Sequence, residues 1–181
     1  MAQLENIILA NGCFWCTEAV FQRLKGVESV TSGYAASKVD DPSYQQVCTG
    51  RTGAAEATKI EYDPSIISLD KLLDVFWHMH DPTTLNRQGA DVGTQYRSAI
   101  YYYTDEQKQI AEASKAAFDQ SGTYKKPAVT EITPFSNFYA AEDYHKDYYD
   151  RNPNQGYCRV IIDPKVQKLL KDYRNDVKVG V

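Results

Sequence analysis

Asn6-Ile7-Ile8-Leu9-Ala10, then Asn11-Gly12-Cys13-Phe14-Trp15-Cys16, then Thr17-Glu18-Ala19-Val20-Phe21-Gln22-Arg23-Leu24, is the stretch from which the rest of the chain is read. The aliphatic run has strand length, and Val20, Phe21 and Leu24 recur at helical spacing, so Cys13 falls at a strand-to-helix turn. Unpaired N–H groups and the positive end of the dipole at such a helix start favour an anion, which predicts a lowered pKa for the Cys13 thiol. Residues three apart share a helix face at about 5–6 Å, so Cys13 and Cys16 are placed to close a disulfide.

Outward from this unit, strands and helices alternate. Strands are expected at Glu28–Tyr34, Ala57–Tyr62, Ser98–Tyr103 and Val129–Thr133, with Ala99, Tyr101 and Tyr103 on one face of their strand and Ile100 and Tyr102 on the other. Helices are expected over Ser68–His78 with Ser68 as N-cap, from the capping box Thr104-Asp105-Glu106-Gln107 to about Gln120, over Ala141–Arg151, and over Val166–Tyr173 after an Asp163 N-cap and Pro164. Ala35 to Tyr44 and the long polar connection Asp81–Gln95 read as loops, the latter long enough to suggest function. The order lacks the regularity of a doubly wound sheet. It predicts an α+β two-layer sandwich, a mixed β-sheet flanked by helices around a ferredoxin-like core, in one catalytic domain spanning residues 1–181.

Composition narrows the partners. The 181 residues, 43% hydrophobic and 24% charged with net charge −4, supply one sizeable core and no cationic face for nucleic acid or acidic membranes. The N-terminus lacks the basic start and apolar core of a secretory signal, and no stretch approaches a membrane span, so a cytoplasmic protein is expected. In a reducing compartment, four cysteines point to catalysis or metal before a disulfide framework. Cys48, in Val47-Cys48-Thr49, reads as a buried structural thiol.

Several strings together resemble one family in order and spacing. Gly12–Cys16, Gly26-Val27 with Gly33-Tyr34, Tyr44–Glu56, Phe76-Trp77 with His80-Asp81-Pro82, Gly93–Ala99, Ala141–His145 and Asn152–Cys158 resemble peptide methionine sulfoxide reductase A, from about Asn6 to Pro164. The resemblance implies reduction of methionine S-sulfoxide, free or in oxidised proteins, with thioredoxin as the external reductant and no cofactor or metal. It implies Cys13 as nucleophile and Glu56 as acid, with Tyr44 and Tyr96 binding the sulfoxide oxygen. Asp91 would stand beside them, and Phe14 and Trp15 would receive the substrate methyl. That chemistry needs a carboxyl kept neutral by burial and phenols that donate without repelling a thiolate. A sulfenic acid on Cys13 then condenses with a second thiol. Cys16 stands where glycine is commoner in the family, and Cys158 matches the usual C-terminal recycling cysteine; helix spacing favours Cys16. The chain also has Ala54 where histidine is common and Ala35-Ala36 in place of a glycine pair, and it has no cysteine beyond Cys158.

Two other readings use the same residues. A thioredoxin-like dithiol oxidoreductase would employ Cys13 and Cys16, although the intervening Phe14-Trp15 and the Glu/Tyr set argue against it. A zinc module would draw on the four cysteines and three histidines, but only one Cys-x-x-Cys is present and His78 and His80 are two apart. Phe76-Trp77 and His145 read as packing. A monomer is expected.

Overall fold

The structure is a computed structural model that describes residues 3–181. Met1 and Ala2, the start of the segment read as lacking a secretory signal, lie outside the described residues. Ile7 and Leu9 of β1 (Glu5–Asn11) bury one face of a sheet, while Ile8 and Ala10 bury the other, as the period-two alternation of a central strand requires. β1 pairs antiparallel with β3 (Ala55–Tyr62) on one side, Ile7 opposite Ile60, and with β6 (Ser98–Tyr102) on the other, Ile8 opposite Tyr101. β2 (Val27–Ala35) lies outside β3, and β8 (Phe138–Ala140) outside β2. β7 (Glu131–Pro134) runs parallel to β6, which makes the sheet mixed, in the order β7-β6-β1-β3-β2-β8.

Helices cover one face. α1 (Phe14–Phe21), α3 (Leu69–His78), α4 (Asp105–Gln120) and α6 (Asp163–Asp172) bury Val20, Phe21, Leu72, Phe76, Trp77, Phe118 and Leu169 against Ile7, Leu9, Ile60 and Ile100. Ser68 and Thr104 cap α3 and α4, accepting from Lys71 N–H at 3.1 Å and Gln107 N–H at 3.2 Å. The opposite face is lined by the small residues Ala35, Ala55, Ala57 and Ala99 with Tyr101. Ala99 and Tyr101 therefore share one face and Ile100 and Tyr102 the other, as the alternation predicts.

The structure departs from the expected elements in five places. The helix expected over Ala141–Arg151 is a 3-10 turn, Asp143–His145, then α5 (Tyr148–Arg151), split by an extended Lys146 and a left-handed Asp147 at φ 52°. The break falls between His145 and Tyr148, and both still meet Trp15. Phe138–Ala140 joins the sheet as β8. The loop expected up to Tyr44 ends one residue earlier: Ser43 and Gln46 form a capping box that starts α2 (Tyr44–Cys48). Asp163 is not a cap, because a π-helical turn, Cys158–Ile162, runs straight into α6. The connection Asp81–Gln95 holds a two-residue hairpin, β4 (Arg87–Gln88) with β5 (Asp91–Val92), and a 3-10 turn at Thr94–Tyr96.

Candidate active site

The functional side chains gather at one end of the sheet, where β1 ends and β3 and β6 begin. Gly12, at φ +103°, turns the chain from β1 into α1, and a Cβ there would lie 2.8 Å from Gln88 Cβ, so only glycine fits. Cys13 is the N-cap of α1 in extended conformation, and its carbonyl accepts from Cys16 N–H at 3.1 Å. Glu56, the second residue of β3 and 2% exposed, accepts from Phe14 N–H at 3.2 Å. The carboxyl thus sits against the first turn of α1.

The thiols form one apolar group: Cys13 (8% exposed), Cys16 (3%) and Cys158 (0%) pack with Ala19, Ile162 and Val166. Both candidate partners of Cys13 are therefore brought to it. Burial pushes the Cys13 thiol well above its usual range, and the neighbouring Cys16 and Glu56 add to the rise. Cys16 moves the other way, to about 7: the Cys13 S–H donates to it, and Lys165 and Tyr157 assist against its own burial. This corrects the expectation for Cys13 alone. The helix start does favour an anion, but in a closed apolar group two adjacent sulfurs cannot both ionise, so the pair loses one proton near neutrality and shares the remaining one.

Burial raises the Glu56 carboxyl to about 8, with Asp91 and Cys16 adding to the rise and the Phe14 N–H opposing it. At pH 7 it is a neutral acid, as the sequence reading requires. Tyr44, first residue of α2, and Tyr96, last of its 3-10 turn, both feel the Glu56 carboxyl, and both phenols are raised well above their usual range, chiefly by burial. They remain proton donors at any working pH. Asp91 of β5 accepts from Tyr157 O–H at 2.7 Å, and that same oxygen lies 4.0 Å from Cys16 Sγ. Asp91 therefore reaches the thiols through Tyr157.

Phe14 and Trp15 occupy different settings. Phe14 is buried against Tyr34, ring centroids 5.8 Å apart, and against His145 at 5.0 Å. Trp15 is half-buried; Tyr148 stacks on it at 3.7 Å and Tyr157 meets it edge-on at 5.9 Å. Trp15 Nε1–H donates to His145 Nδ1 at 3.0 Å.

The sequence reading misplaces Cys48, which is exposed at the end of α2, one turn after Tyr44. Tyr157, Tyr148, Tyr34 and Glu142 also belong to this neighbourhood. Among fourteen tyrosines no spacing distinguishes them, and only Tyr157, one residue before Cys158, carries a positional signal. Two of the three histidines of the zinc reading are engaged elsewhere: the His80 ring lies 2.6 Å from the Phe76 carbonyl and 2.8 Å from Ser98 Oγ, and His78 lies 2.8 Å from the Asp74 carbonyl.

A paired thiol beside a neutral carboxylic acid and two phenols, backed by aromatic rings, defines a class: a cysteine-dependent reductase built to polarise one oxygen next to a small apolar group. The chain belongs to the peptide methionine sulfoxide reductase family, whose model matches residues 5–178. It is 50% identical over 178 residues, 98% of this chain and 100% of the relative, to a peptide methionine sulfoxide reductase MsrA of Sulfolobus acidocaldarius. Among solved structures, Mxr1 of Saccharomyces cerevisiae in reduced form matches with a TM-score of 0.81 and 38% identity, covering 86% of this chain and 90% of that one. Mxr1 in complex with Trx2 matches with a TM-score of 0.59 and 26% identity, covering 81% and 85%.

Proposed function

We propose that this protein reduces methionine S-sulfoxide, free or within oxidised proteins, to methionine, and that thioredoxin restores its thiols. Family membership supports the activity, and the Mxr1–Trx2 complex supports the partner. One observation carries the chemistry: Glu56, 2% exposed, accepts from Phe14 N–H at 3.2 Å at the start of the helix that Cys13 caps, and burial there raises its carboxyl to about 8.

The steps follow from the groups present. Tyr44, Tyr96 and protonated Glu56 donate to the sulfoxide oxygen and leave its sulfur electron-poor. Cys16, as the ionised member of the pair, draws the proton from Cys13, and the Cys13 thiolate attacks that sulfur. With one proton from Glu56, the oxygen ends on Cys13 as a sulfenic acid and methionine leaves with its two-electron reduction complete. Cys16 then attacks Cys13, a Cys13–Cys16 disulfide forms, and the sulfenic oxygen leaves as water. Cys16 is the better partner than Cys158, since it sits in the first turn after Cys13 with its N–H bonded to the Cys13 carbonyl at 3.1 Å, whereas burial and the charge of Cys16 push the Cys158 thiol up. Phe14 and Trp15 take the methyl, and Asp91 steadies Tyr157 beside them.

We read the sheet core as ferredoxin-like, supported by the antiparallel order β6-β1-β3-β2 with α1 and α3 as its crossovers. The whole acts as a single catalytic domain, a monomer in the cytoplasm, without cofactor. Among the described residues no helix is long and apolar enough to cross a membrane.

Mass mapping after one turnover without reductant tests the assignment. Wild type is expected to yield one methionine and a Cys13–Cys16 bond, Cys13→Ser to yield none, and Cys16→Ser to accumulate a trappable sulfenic acid. A Cys13–Cys158 bond formed at the full rate in the wild type overturns the choice of Cys16.

A further inference from the structure

The turn Glu142–His145 touches both halves of the substrate pocket at once. Epimers of a sulfoxide exchange the positions of oxygen and lone pair about the same sulfur. An enzyme separates them only if its apolar wall and its oxygen donors keep a fixed spacing. In this chain those halves belong to different elements, with Phe14 and Trp15 opening α1 and Tyr44 opening α2.

His145, 1% exposed, accepts from Trp15 Nε1–H at 3.0 Å, and its ring lies 5.0 Å from Phe14 and 4.7 Å from Tyr44. Glu142 divides its carboxylate the same way: Oε2 accepts from Tyr44 N–H at 3.1 Å, and Oε1 accepts at 2.9 Å from the hydroxyl of Tyr34, whose ring packs on Phe14. The turn is itself anchored to the sheet, because Ala141 N–H donates to the Ser32 carbonyl at 2.9 Å immediately after β8. Since His145 Nδ1 accepts, the imidazole is the neutral tautomer with its hydrogen on Nε2. Burial, which holds this imidazole below its usual range, keeps it in that form.

We propose that His145 and Glu142 set the epimer selectivity of this enzyme, as positioning residues that hold Trp15 and Tyr44 at a fixed spacing and touch no reacting atom. The inference rests on the sulfoxide-reductase activity proposed above. Asparagine places an acceptor oxygen close to where Nδ1 lies, so His145→Asn keeps the bond to Trp15 that His145→Leu removes.

The test measures kcat/KM separately for the S and R epimers of methionine sulfoxide, and follows the two indole N–H resonances. Trp77, whose Nε1–H donates to Ser114 Oγ at 2.8 Å, serves as the internal control for folding. In His145→Leu the S-to-R ratio is expected to fall about tenfold with the Trp15 resonance displaced and that of Trp77 unmoved, and His145→Asn to restore both within a factor of about three. Glu142→Gln, which cannot accept from Tyr44 and Tyr34 together, is expected to lower the ratio as well. A ratio unchanged in His145→Leu while overall activity falls would mean a merely structural role and overturns the proposal. If His145→Leu does not fold, an unchanged ratio in Glu142→Gln decides against it in the same way. A wild type inactive on both epimers sinks the activity itself, a different failure.

Discussion

Two protons govern the chemistry, one to be lost from the thiol pair and one to be kept on Glu56. The Cys13 S–H lowers Cys16 to about 7, and burial raises Glu56 to about 8. Below the first value Cys16 keeps its own proton and cannot take that of Cys13; above the second the acid is spent. The expected pH profile of kcat/KM is a narrow bell between those limits. In Glu56→Gln the alkaline limb should vanish, because an amide does not titrate, and kcat/KM should fall by about 10²-fold for want of a proton to give. A variant that retains the alkaline limb would assign it to another group. At this scale, residue spacing discloses Cys13 and Cys16, since helical geometry is local. It says nothing of Glu56, whose role depends on 2% exposure, or of Cys48, which helical spacing sets one turn from Tyr44 only once residues 44–48 are known to be the helix α2. Glu56, Tyr44, Tyr96, Asp91, Phe14 and Trp15 became legible only through strings shared with a family.

Secondary-structure elements matter here chiefly for what their ends present. α1 is buried on nearly every side, between the sheet on one hand and α5 and α6 on the other, so it has no polar face to advertise its helical period. What identifies it is the recurrence of Val20, Phe21 and Leu24 alone, and Leu24 lies beyond its last residue. Gln88, against which a side chain at position 12 would collide, is tied down by two bonds to the Asp81 backbone, its amide donating to the carbonyl at 2.8 Å and accepting from the N–H at 3.0 Å. It cannot step aside. Gly12→Ala should therefore cost about 2–3 kcal/mol, combining left-handed strain with overpacking, and should lower kcat more than KM by displacing Cys13. Denaturant unfolding and steady-state kinetics on the same preparation check both parts; a loss under about 0.5 kcal/mol would show the turn to be pliable. The capped helices α3 and α4 were readable for a related reason, each cap being a local bond. Ser68→Ala should cost about 1 kcal/mol with activity intact. Ala141–Arg151 defeated the same logic, because an extended Lys146 and a left-handed Asp147 interrupt its helical residues and no spacing marks that break.

For the molecule as a whole, two buried carboxyls make stability depend on pH in the sense opposite to a salt-bridged acid. Burial and the charge of Asp147 raise Glu18 from 4.5 to about 7, against the Asp147 and Tyr148 N–H groups that its carboxylate accepts from, and burial raises Glu56 from 4.5 to about 8. Between those limits the folded chain holds protons that the unfolded chain has released, so their stabilisation is complete below about pH 4.5 and is lost as pH rises through 7 and 8. Glu18 joins α1 to the start of α5, the segment that brings Tyr148 onto Trp15, and it plays no part in the proton transfers. Glu18→Gln replaces it with a side chain that stays neutral throughout. A tenfold difference in acidity between the folded and unfolded chain is worth about 1.4 kcal/mol, and each kcal/mol about 2–4 °C in a chain of this length. The Tm of the variant should accordingly gain on that of the wild type by about 5 °C or more between pH 5 and pH 8. Thermal scans at both pH values decide it: a gap that stays constant across the range would mean that Glu18 titrates in the folded protein as it does in water, and that the junction of α1 with α5 is open to solvent.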